Sequence, residues 1–128
     1  MKFHHIGYLT NNFKKTTNEF KKINYVKTTD VINDNILKVK VQFIKNKKNL
    51  IEIVKPYKNN YGLQKIIQRK NYAYHFAYKI KNITQVIKKL KKKKFKVIVN
   101  SVPAKAFKNK EVAFLKMNDG FIIELIES

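Results

Sequence analysis

The chain has 128 residues, a length typical of one domain or of two small units that share a core. Twenty-nine basic residues against eight acidic ones give a net charge of +21, but Arg69 is the only arginine among 28 lysines. Abundant Lys, Ile and Asn are typical of an AT-rich coding sequence, so the charge is partly compositional. A hydrophobic fraction of 44% excludes a disordered basic tail.

Features that the sequence lacks exclude further classes of protein. No apolar run approaches the ~18 residues that a membrane span requires. The first residues, MKFHHIGYLT, do not have the layout of a signal peptide. Without cysteine there is no disulfide framework, thiolate metal site or cysteine nucleophile. A cytoplasmic protein is therefore expected.

Apolar spacing predicts the elements of the first half of the chain. Residues 3–9 form a short apolar run that predicts a strand, and Thr10, Asn11 and Asn12 then predict a turn and a helix cap. The elements predicted after this cap are a helix over 13–23, a strand over 25–32, a turn at 33–35, an alternating strand over 37–43, a hairpin turn at 46–49, a strand over 50–54 and a helical linker over 61–69.

The second half gives a similar order of elements. Residues 72–80 predict a strand, and Asn82 can cap a helix that runs to residue 93. The remaining prediction is a strand over 95–99, a loop over 101–109 that contains Pro103, a strand over 112–117, an Asn-Asp-Gly hairpin turn at 118–120 and a strand over 121–126.

A direct comparison of the two halves reveals an internal repeat. A shift of 70 residues places His5 on His75 without a gap, and the same shift matches Tyr8, Asn12, Phe20 and Tyr25 with Tyr78, Asn82, Leu90 and Phe95. A shift of 71 matches Val41 and Phe43 with Val112 and Phe114, and a shift of 72 matches LIEIV with IIELI. The sequence therefore predicts an α+β chain of two strand-helix-strand-strand-strand copies: module 1–56, a linker helix 57–71 and module 72–128.

The repeat brings four chemically important residues into matched positions. His5 and His75 lie in the first strand of each copy, and Glu52 and Glu124 lie in the last. Each lies in an apolar strand, where an unpaired carboxylate is costly to bury. Two imidazoles and two carboxylates suit Ni²⁺, Co²⁺, Mn²⁺, Fe²⁺ or Zn²⁺ and leave positions open for water or a substrate oxygen.

Two neighbouring residues are poorer candidates for metal binding. His4 faces the opposite side of its strand from His5, so we expect it to pack or to support the site from outside. Glu127 faces away from Glu124 and lies near the chain end. The predicted metal ligands are therefore His5, Glu52, His75 and Glu124.

The segments that carry these residues resemble a known superfamily. They are HHIGYLTNNFKK, NLIEIVKP, YAYHFAYKIKNI, KEVAFLKM and DGFIIELIE, in that order. Together they make the chain similar to the vicinal oxygen chelate proteins, which include glyoxalase I, methylmalonyl-CoA epimerase and the bleomycin-resistance proteins. The resemblance covers nearly the whole chain and is greatest toward the epimerases and small glyoxalase-like proteins. It implies two βαβββ modules that form an incomplete barrel around one divalent metal ion.

The resemblance also implies an enzyme and a mechanism. The metal would polarise a substrate carbonyl, and a carboxylate would remove the proton from the adjacent carbon. Glu124 would be the base and Glu52 its partner. The expected substrates are acyl-CoA thioesters, for an epimerase, or hemithioacetals, for a lactoylglutathione lyase. A homodimer without membrane attachment is also expected, with the site formed either within one chain or across the dimer.

Substrate-binding residues are predicted from two segments. Some epimerases carry a further acid on the third strand, where this chain has Lys38, Lys40 and Gln42. Lys40 and Gln42 are therefore candidates for holding an anionic substrate group, although a solvated lysine is an equal alternative for Lys40. Lys105 and Phe107, in the Lys-rich loop over 101–109, are candidates for contacts to a nucleotide or its phosphates.

Two other functions remain as alternatives. The same barrel could sequester a small molecule without turnover, as in the bleomycin-resistance branch, although that role needs no His/Glu set. The lysine run over 88–94 suggests nucleic-acid binding. At helical spacing it is mainly a solvated face, and the lack of further Arg and of an aromatic platform argues against specific nucleic-acid binding.

Overall fold

A computed structural model describes all residues 1–128 and has an α+β fold, as predicted. It contains nine strands, three α-helices and one 3₁₀ helix. The chain divides into two compact units: residues 5–74, and residues 1–4 with 75–128. No helix combines the length and hydropathy needed to cross a bilayer.

The unit of residues 5–74 has the element order predicted for the first module, except that two short strands replace the strand predicted over 25–32 and the second of them overlaps the turn predicted at 33–35. Its strands lie in the order β2-β4-β5-β1, with β3 also paired to β4. Parallel pairing joins β1 to β5, and the other pairs are antiparallel. The elements are β1 (Lys2–Leu9, begun by residues of the other unit), α1 (Phe13–Lys21), β2 (Val26–Lys27), β3 (Ile32–Asp34), β4 (Val39–Asn46), β5 (Asn49–Pro56) and α2 (Tyr61–Gln68).

The strand predicted over 25–32 is wrong in its extent, because the structure contains only β2 and β3 along that edge of β4. The chain between them instead hydrogen-bonds β4 through Thr29, whose Oγ1 accepts from the Phe43 backbone N–H at 3.1 Å. Strand β4 also begins later than predicted. The Asp34 carboxylate accepts from two backbone N–H groups in the turn, and Lys38 has a positive φ of 58°.

The second unit repeats this construction with the strand order β6-β9-β8-β7. Parallel pairing joins β6 to β9, and β8 is antiparallel to both of its neighbours. The elements are β6 (Ala73–Ile80, begun by residues of the other unit), α3 (Ile83–Lys92), β7 (Lys96–Ala104), a 3₁₀ helix (Lys105–Phe107), β8 (Lys110–Lys116) and β9 (Ile122–Glu127).

The loop predicted over 101–109 is also wrong. Strand β7 continues through Pro103 to Ala104, and the 3₁₀ helix follows it. Because β7 is the end strand in this unit's order, a proline there removes no hydrogen bond from a further strand. Register shifts between β7 and β8 accommodate the irregular segment.

Both predicted asparagine caps are confirmed. The side chains of Asn12 and Asn82 accept from the N–H groups of Lys15 and Gln85 at the starts of α1 and α3. Each helix packs on one face of its unit's sheet. The apolar residues at these two interfaces include Ile44, Ile51 and Ile53 below α1, and Ile80, Ala113, Leu115, Ile123 and Leu125 below α3. The opposite sheet faces are therefore the ones that carry the predicted ligands.

Candidate metal centre

The first buried His–Glu pair lies on neighbouring parallel strands. Strand β1 carries His5, and β5 carries Glu52 opposite Gly7, two residues beyond the histidine. Alternation places His5, Gly7 and Glu52 on one sheet face, away from α1. His5 is 0% exposed and Glu52 is 5% exposed. His5 Nε2 lies 3.5 Å from Glu52 Oε1.

The second pair reproduces this geometry in the other unit. Strand β6 carries His75, and β9 carries Glu124 opposite Ala77. His75 is 0% exposed and Glu124 is 2% exposed, while His75 Nε2 lies 3.3 Å from Glu124 Oε1. Ile123 and Leu125, on either side of the glutamate, pack in the core beneath α3. The carboxylate therefore faces away from that helix.

An aromatic ring supports each histidine. Phe43 lies across from Glu52 on the antiparallel neighbour β4, and Phe114 lies across from Glu124 on β8. The Phe43 ring contacts His5 edge to face at a centroid distance of 5.6 Å, and Phe114 contacts His75 at 5.4 Å. The 71-residue shift matches these two phenylalanines, although no role was predicted for them. That match was the available signal for an aromatic wall beside the ligands.

The geometry of each pair fits two ligands of a common metal ion. Two ligand atoms at about 2.1 Å from one ion lie roughly 3.0 Å apart at a right angle and roughly 3.4 Å apart at a tetrahedral angle. The observed separations, 3.5 Å for His5–Glu52 and 3.3 Å for His75–Glu124, are near this range. Each of the four residues offers one ligand atom, a histidine nitrogen or a carboxylate oxygen. The donor chemistry suits a borderline divalent cation.

Lys40 and Gln42, which were predicted to hold an anionic substrate group, lie on the sheet face opposite to Glu52. They alternate with Phe43, the partner of Glu52, and so lie on the opposite sheet face. Lys40 is exposed, and the buried Gln42 donates through Nε2 to the Thr29 carbonyl at 3.1 Å. This placement argues against a substrate contact on the face that carries Glu52.

The other singled-out residues lie in the unit that contains β6–β9. His4 packs edge to face on Phe107 at a centroid distance of 5.8 Å, which agrees with a packing role. Lys105 is exposed and Phe107 is half-buried in the 3₁₀ helix. Glu127 accepts through Oε2 from the backbone N–H of Ile83 at 3.3 Å, so it satisfies a helix-start donor. Substrate contacts by Lys105 and Phe107 remain a prediction.

Comparisons with known proteins give one family match and several structural matches. Residues 4–114 match the family model of the Glyoxalase/Bleomycin resistance protein/Dioxygenase superfamily. No match is found among curated proteins. A hypothetical protein from Bacillus halodurans C-125 has a TM-score of 0.83 at 23% identity, covering 99% of this chain and 94% of that one.

Two methylmalonyl-CoA epimerases have the same fold. The Mycobacterium tuberculosis enzyme has a TM-score of 0.81 at 11% identity, covering 98% of this chain and 87% of that one. The Streptomyces coelicolor enzyme, in complex with 2-nitronate-propionyl-CoA, has a TM-score of 0.82 at 13% identity, with coverages of 100% and 97%. At these identities the matches show a shared fold.

Proposed function

Because the chain belongs to the glyoxalase/bleomycin resistance/dioxygenase superfamily, we propose that it is a divalent-metal-dependent enzyme that moves a proton next to a carbonyl. The observation that carries this proposal is the buried His–Glu pair, built twice from matched strands. A fold that only encloses a small molecule does not require two imidazoles and two carboxylates away from water, where unpaired charge is costly.

The proposed metal ligands are His5, Glu52, His75 and Glu124, acting together on one ion. Support comes from the sequence repeat, from the equivalent pairings within the two units and from the N···O separations in each pair. Nickel, cobalt, zinc, manganese and iron all suit this donor set. A bound divalent ion would act as a Lewis acid toward the substrate carbonyl oxygen and so acidify the adjacent C–H.

Glu124 is the proposed general base. Its carboxylate faces away from α3, and on the neighbouring strand it lies opposite the small residue Ala77. We propose that Glu124 accepts the proton from the carbon next to the carbonyl and returns it to that carbon or its neighbour. Glu52, beside Gly7, is its proposed pseudo-symmetric partner.

Strand β4 does not supply a further acid on the face that carries Glu52. Its residues on that face are the apolar Val39, Val41 and Phe43 and the exposed Lys45. The proposal therefore assigns the second proton-transfer role to Glu52 or to a water molecule. A single-base reaction, in which Glu124 both removes and returns the proton, needs no additional acid.

The proposed substrates are acyl-CoA thioesters, with epimerisation of a methylmalonyl-CoA-like compound as the leading reaction. The epimerase structures that share the fold support this choice, including one in complex with methylmalonyl-CoA. Isomerisation of a hemithioacetal, as in lactoylglutathione lyase, is the second candidate reaction. The net charge of +21 favours the approach of either anionic substrate.

The test is hydrogen exchange at the reacting carbon, followed by NMR in deuterated water. Methylmalonyl-CoA and the methylglyoxal–glutathione hemithioacetal are incubated with protein loaded with Ni²⁺, Co²⁺ or Zn²⁺. Glu124→Gln is expected to reduce exchange at least about a hundredfold, the usual contribution of a general base. Glu111→Gln, which neutralises an exposed carboxylate on β8, is expected to exchange as wild type does. Equal exchange by Glu124→Gln and wild type would remove the assigned base.

Metal content separates this enzyme from a non-catalytic binding protein of the same superfamily. Protein purified without chelators is expected to contain, or to take up, about one divalent ion per chain at a saturable site. Less than roughly 0.2 ions per chain after addition of Ni²⁺, Co²⁺ or Zn²⁺ would favour the binding protein. Light scattering after gel filtration tests the homodimer, which remains a prediction.

A further inference from the structure

An open groove of about 480 Å³ lies between α3 and β7. Three lysines from α3 border it at a spacing of three and four residues, which places them on one helix face. Three neutral hydrogen-bonding side chains and one isoleucine complete the lining. The α3–β7 groove consists of Thr84, Ile87, Lys88, Lys91, Lys92, Asn100 and Ser101.

No acidic side chain forms an ion pair with the lysines of this groove. Between Glu52 and Glu111 the chain contains no Asp or Glu, while it contains sixteen lysines and Arg69. Lys88, Lys91 and Lys92 are exposed and form no ion pair. The groove therefore presents three uncompensated ammonium groups beside hydroxyl and amide groups.

The equivalent helix of the first module is also rich in lysine, but it carries an acid as well. At the 70-residue shift, Asn18 and Glu19 of α1 correspond to Lys88 and Lys89 of α3. Glu19 also pairs with Lys22 at 3.0 Å. A bias toward AT-rich codons acts on both helices, yet only α3 lacks an acid. Lys91 and Lys92 match Lys21 and Lys22 of the first module, so the two helices differ in Lys88, in Lys89 and in the missing acid.

The α3–β7 groove is separate from the candidate catalytic carboxylate of its own unit. Helix α3 packs on the sheet face that carries Ile123 and Leu125, whereas Glu124 points to the other face. A ligand seated against α3 therefore lies across the sheet from Glu124. This arrangement indicates a second binding function and not an extension of the proposed substrate site.

We propose that the α3–β7 groove binds the phosphate backbone of a nucleic-acid strand without sequence preference. Lysine, serine, threonine and asparagine side chains are among the usual contacts to phosphate and sugar oxygens. The groove contains neither arginine nor an aromatic ring, so base reading and base stacking are not expected. This proposal does not depend on the proposed enzymatic function.

Fluorescence anisotropy with a labelled single-stranded oligonucleotide of mixed sequence tests the proposal over a salt series from about 50 to 200 mM. The test variant carries Lys88→Gln, Lys91→Gln and Lys92→Gln. The matched control carries Lys14→Gln, Lys15→Gln and Lys21→Gln on α1 and so loses the same total charge. Circular dichroism confirms that both variants are folded.

The expected result is a difference between two variants of equal net charge. Log affinity falls with log salt, and each single-strand phosphate contact contributes roughly 0.7 to the steepness of that fall. Loss of three phosphate contacts should therefore make the slope shallower by about 2. The α1 variant is expected to retain nearly the full slope. A variant that carries Lys88→Arg, Lys91→Arg and Lys92→Arg together keeps the three charges and is expected to show the wild-type slope. Equal losses in the α1 and α3 variants, or no binding by wild type, would overturn the proposal.

Two further measurements separate this groove from other anion sites. Glu124→Gln is expected to bind the oligonucleotide as wild type does, which distinguishes the result from any failure of the enzymatic proposal. Anionic lipid vesicles are the comparison ligand. Lysine-dependent binding to vesicles without binding to the oligonucleotide would assign the groove to a membrane surface and overturn the proposal.

Discussion

Phe114 lies directly across from Glu124 on neighbouring antiparallel strands, and Phe43 has the same relationship to Glu52. Each ring also contacts the histidine of its pair edge to face. Each phenylalanine therefore packs against the imidazole that lies beside its paired carboxylate. Substitution of a residue that orients a metal ligand, without itself binding the metal, commonly changes metal affinity by 10–100-fold.

We expect Phe114→Leu to weaken metal binding about tenfold, because the shorter branched side chain no longer holds the His75 ring. Isothermal titration with Ni²⁺ or Co²⁺ measures the effect. Phe76→Leu is the control, since Phe76 follows His75 in β6, points to the other face and is 40% exposed. Equal affinities of the Phe114 variant and wild type would show that the aromatic contact does not position the ligand.

Metal binding should stabilise the protein strongly, since the proposed ligands belong to both modules. At a free metal concentration of a hundred times Kd, the expected stabilisation is about 2.7 kcal/mol, which raises Tm by roughly 10 °C in a domain of this size. Differential scanning calorimetry with metal and with chelator measures the shift. His75→Gln should abolish most of it. A shift of the same size in that variant would place the ion elsewhere.

Substitutions at Lys40 and Gln42 should separate stability from catalysis, because both side chains lie on the sheet face opposite to Glu52. Lys40→Gln is expected to leave kcat/KM and stability unchanged. Gln42→Leu removes the hydrogen bond to the Thr29 carbonyl and should cost about 1 kcal/mol in urea unfolding, with little change in kcat/KM. A tenfold loss of kcat/KM in either folded variant would restore the substrate-binding role.

Lys94→Gly should stabilise the end of α3. Lys94 has φ of 71° directly after the helix cap, where glycine is favoured, and the equivalent residue after α1 is Asn24 at 72°. The backbone hydrogen bonds from Phe95 to Leu90 and from Lys94 to Lys91 complete the motif. We expect a gain of roughly 0.5–1 kcal/mol in chemical unfolding.

Lys93→Gly provides the matched control for this change. Lys93 has φ of −91° and gains nothing from glycine, which adds entropy to the unfolded chain at that position. We therefore expect the control to be neutral or destabilising. Stabilisation of similar size in both variants would indicate that removal of one positive charge, and not backbone conformation, causes the effect.

The sequence was sufficient for the order of the elements and for the equivalence of the two modules. Period-two alternation, the asparagine caps and the repeat shift all depend on local chemistry that survives in one sequence. The positions of His5 and Glu52 could be compared with those of His75 and Glu124 because the shift aligned them. Their assembly as ligands of one ion remains a proposal.

The errors arose where contacts distant in sequence override local signals. Pro103 suggested a loop, but its position on an end strand removes the usual penalty for proline in a sheet. The strand over 25–32 is interrupted because Thr29 bonds to β4. The role predicted for Lys40 and Gln42 depended on a strand face that the repeat did not identify. The pairing of Phe43 with Glu52 identifies it directly.

Each His–Glu pair joins the first and last strands of its module through parallel pairing, Gly7 with Glu52 and Ala77 with Glu124. About 45 residues of chain must be ordered before either pair forms, so contacts of this kind develop late in folding. An ion that needs these ligands has little affinity for a half-folded module. It should therefore lengthen the lifetime of the native chain against unfolding, while the rate of folding stays nearly the same.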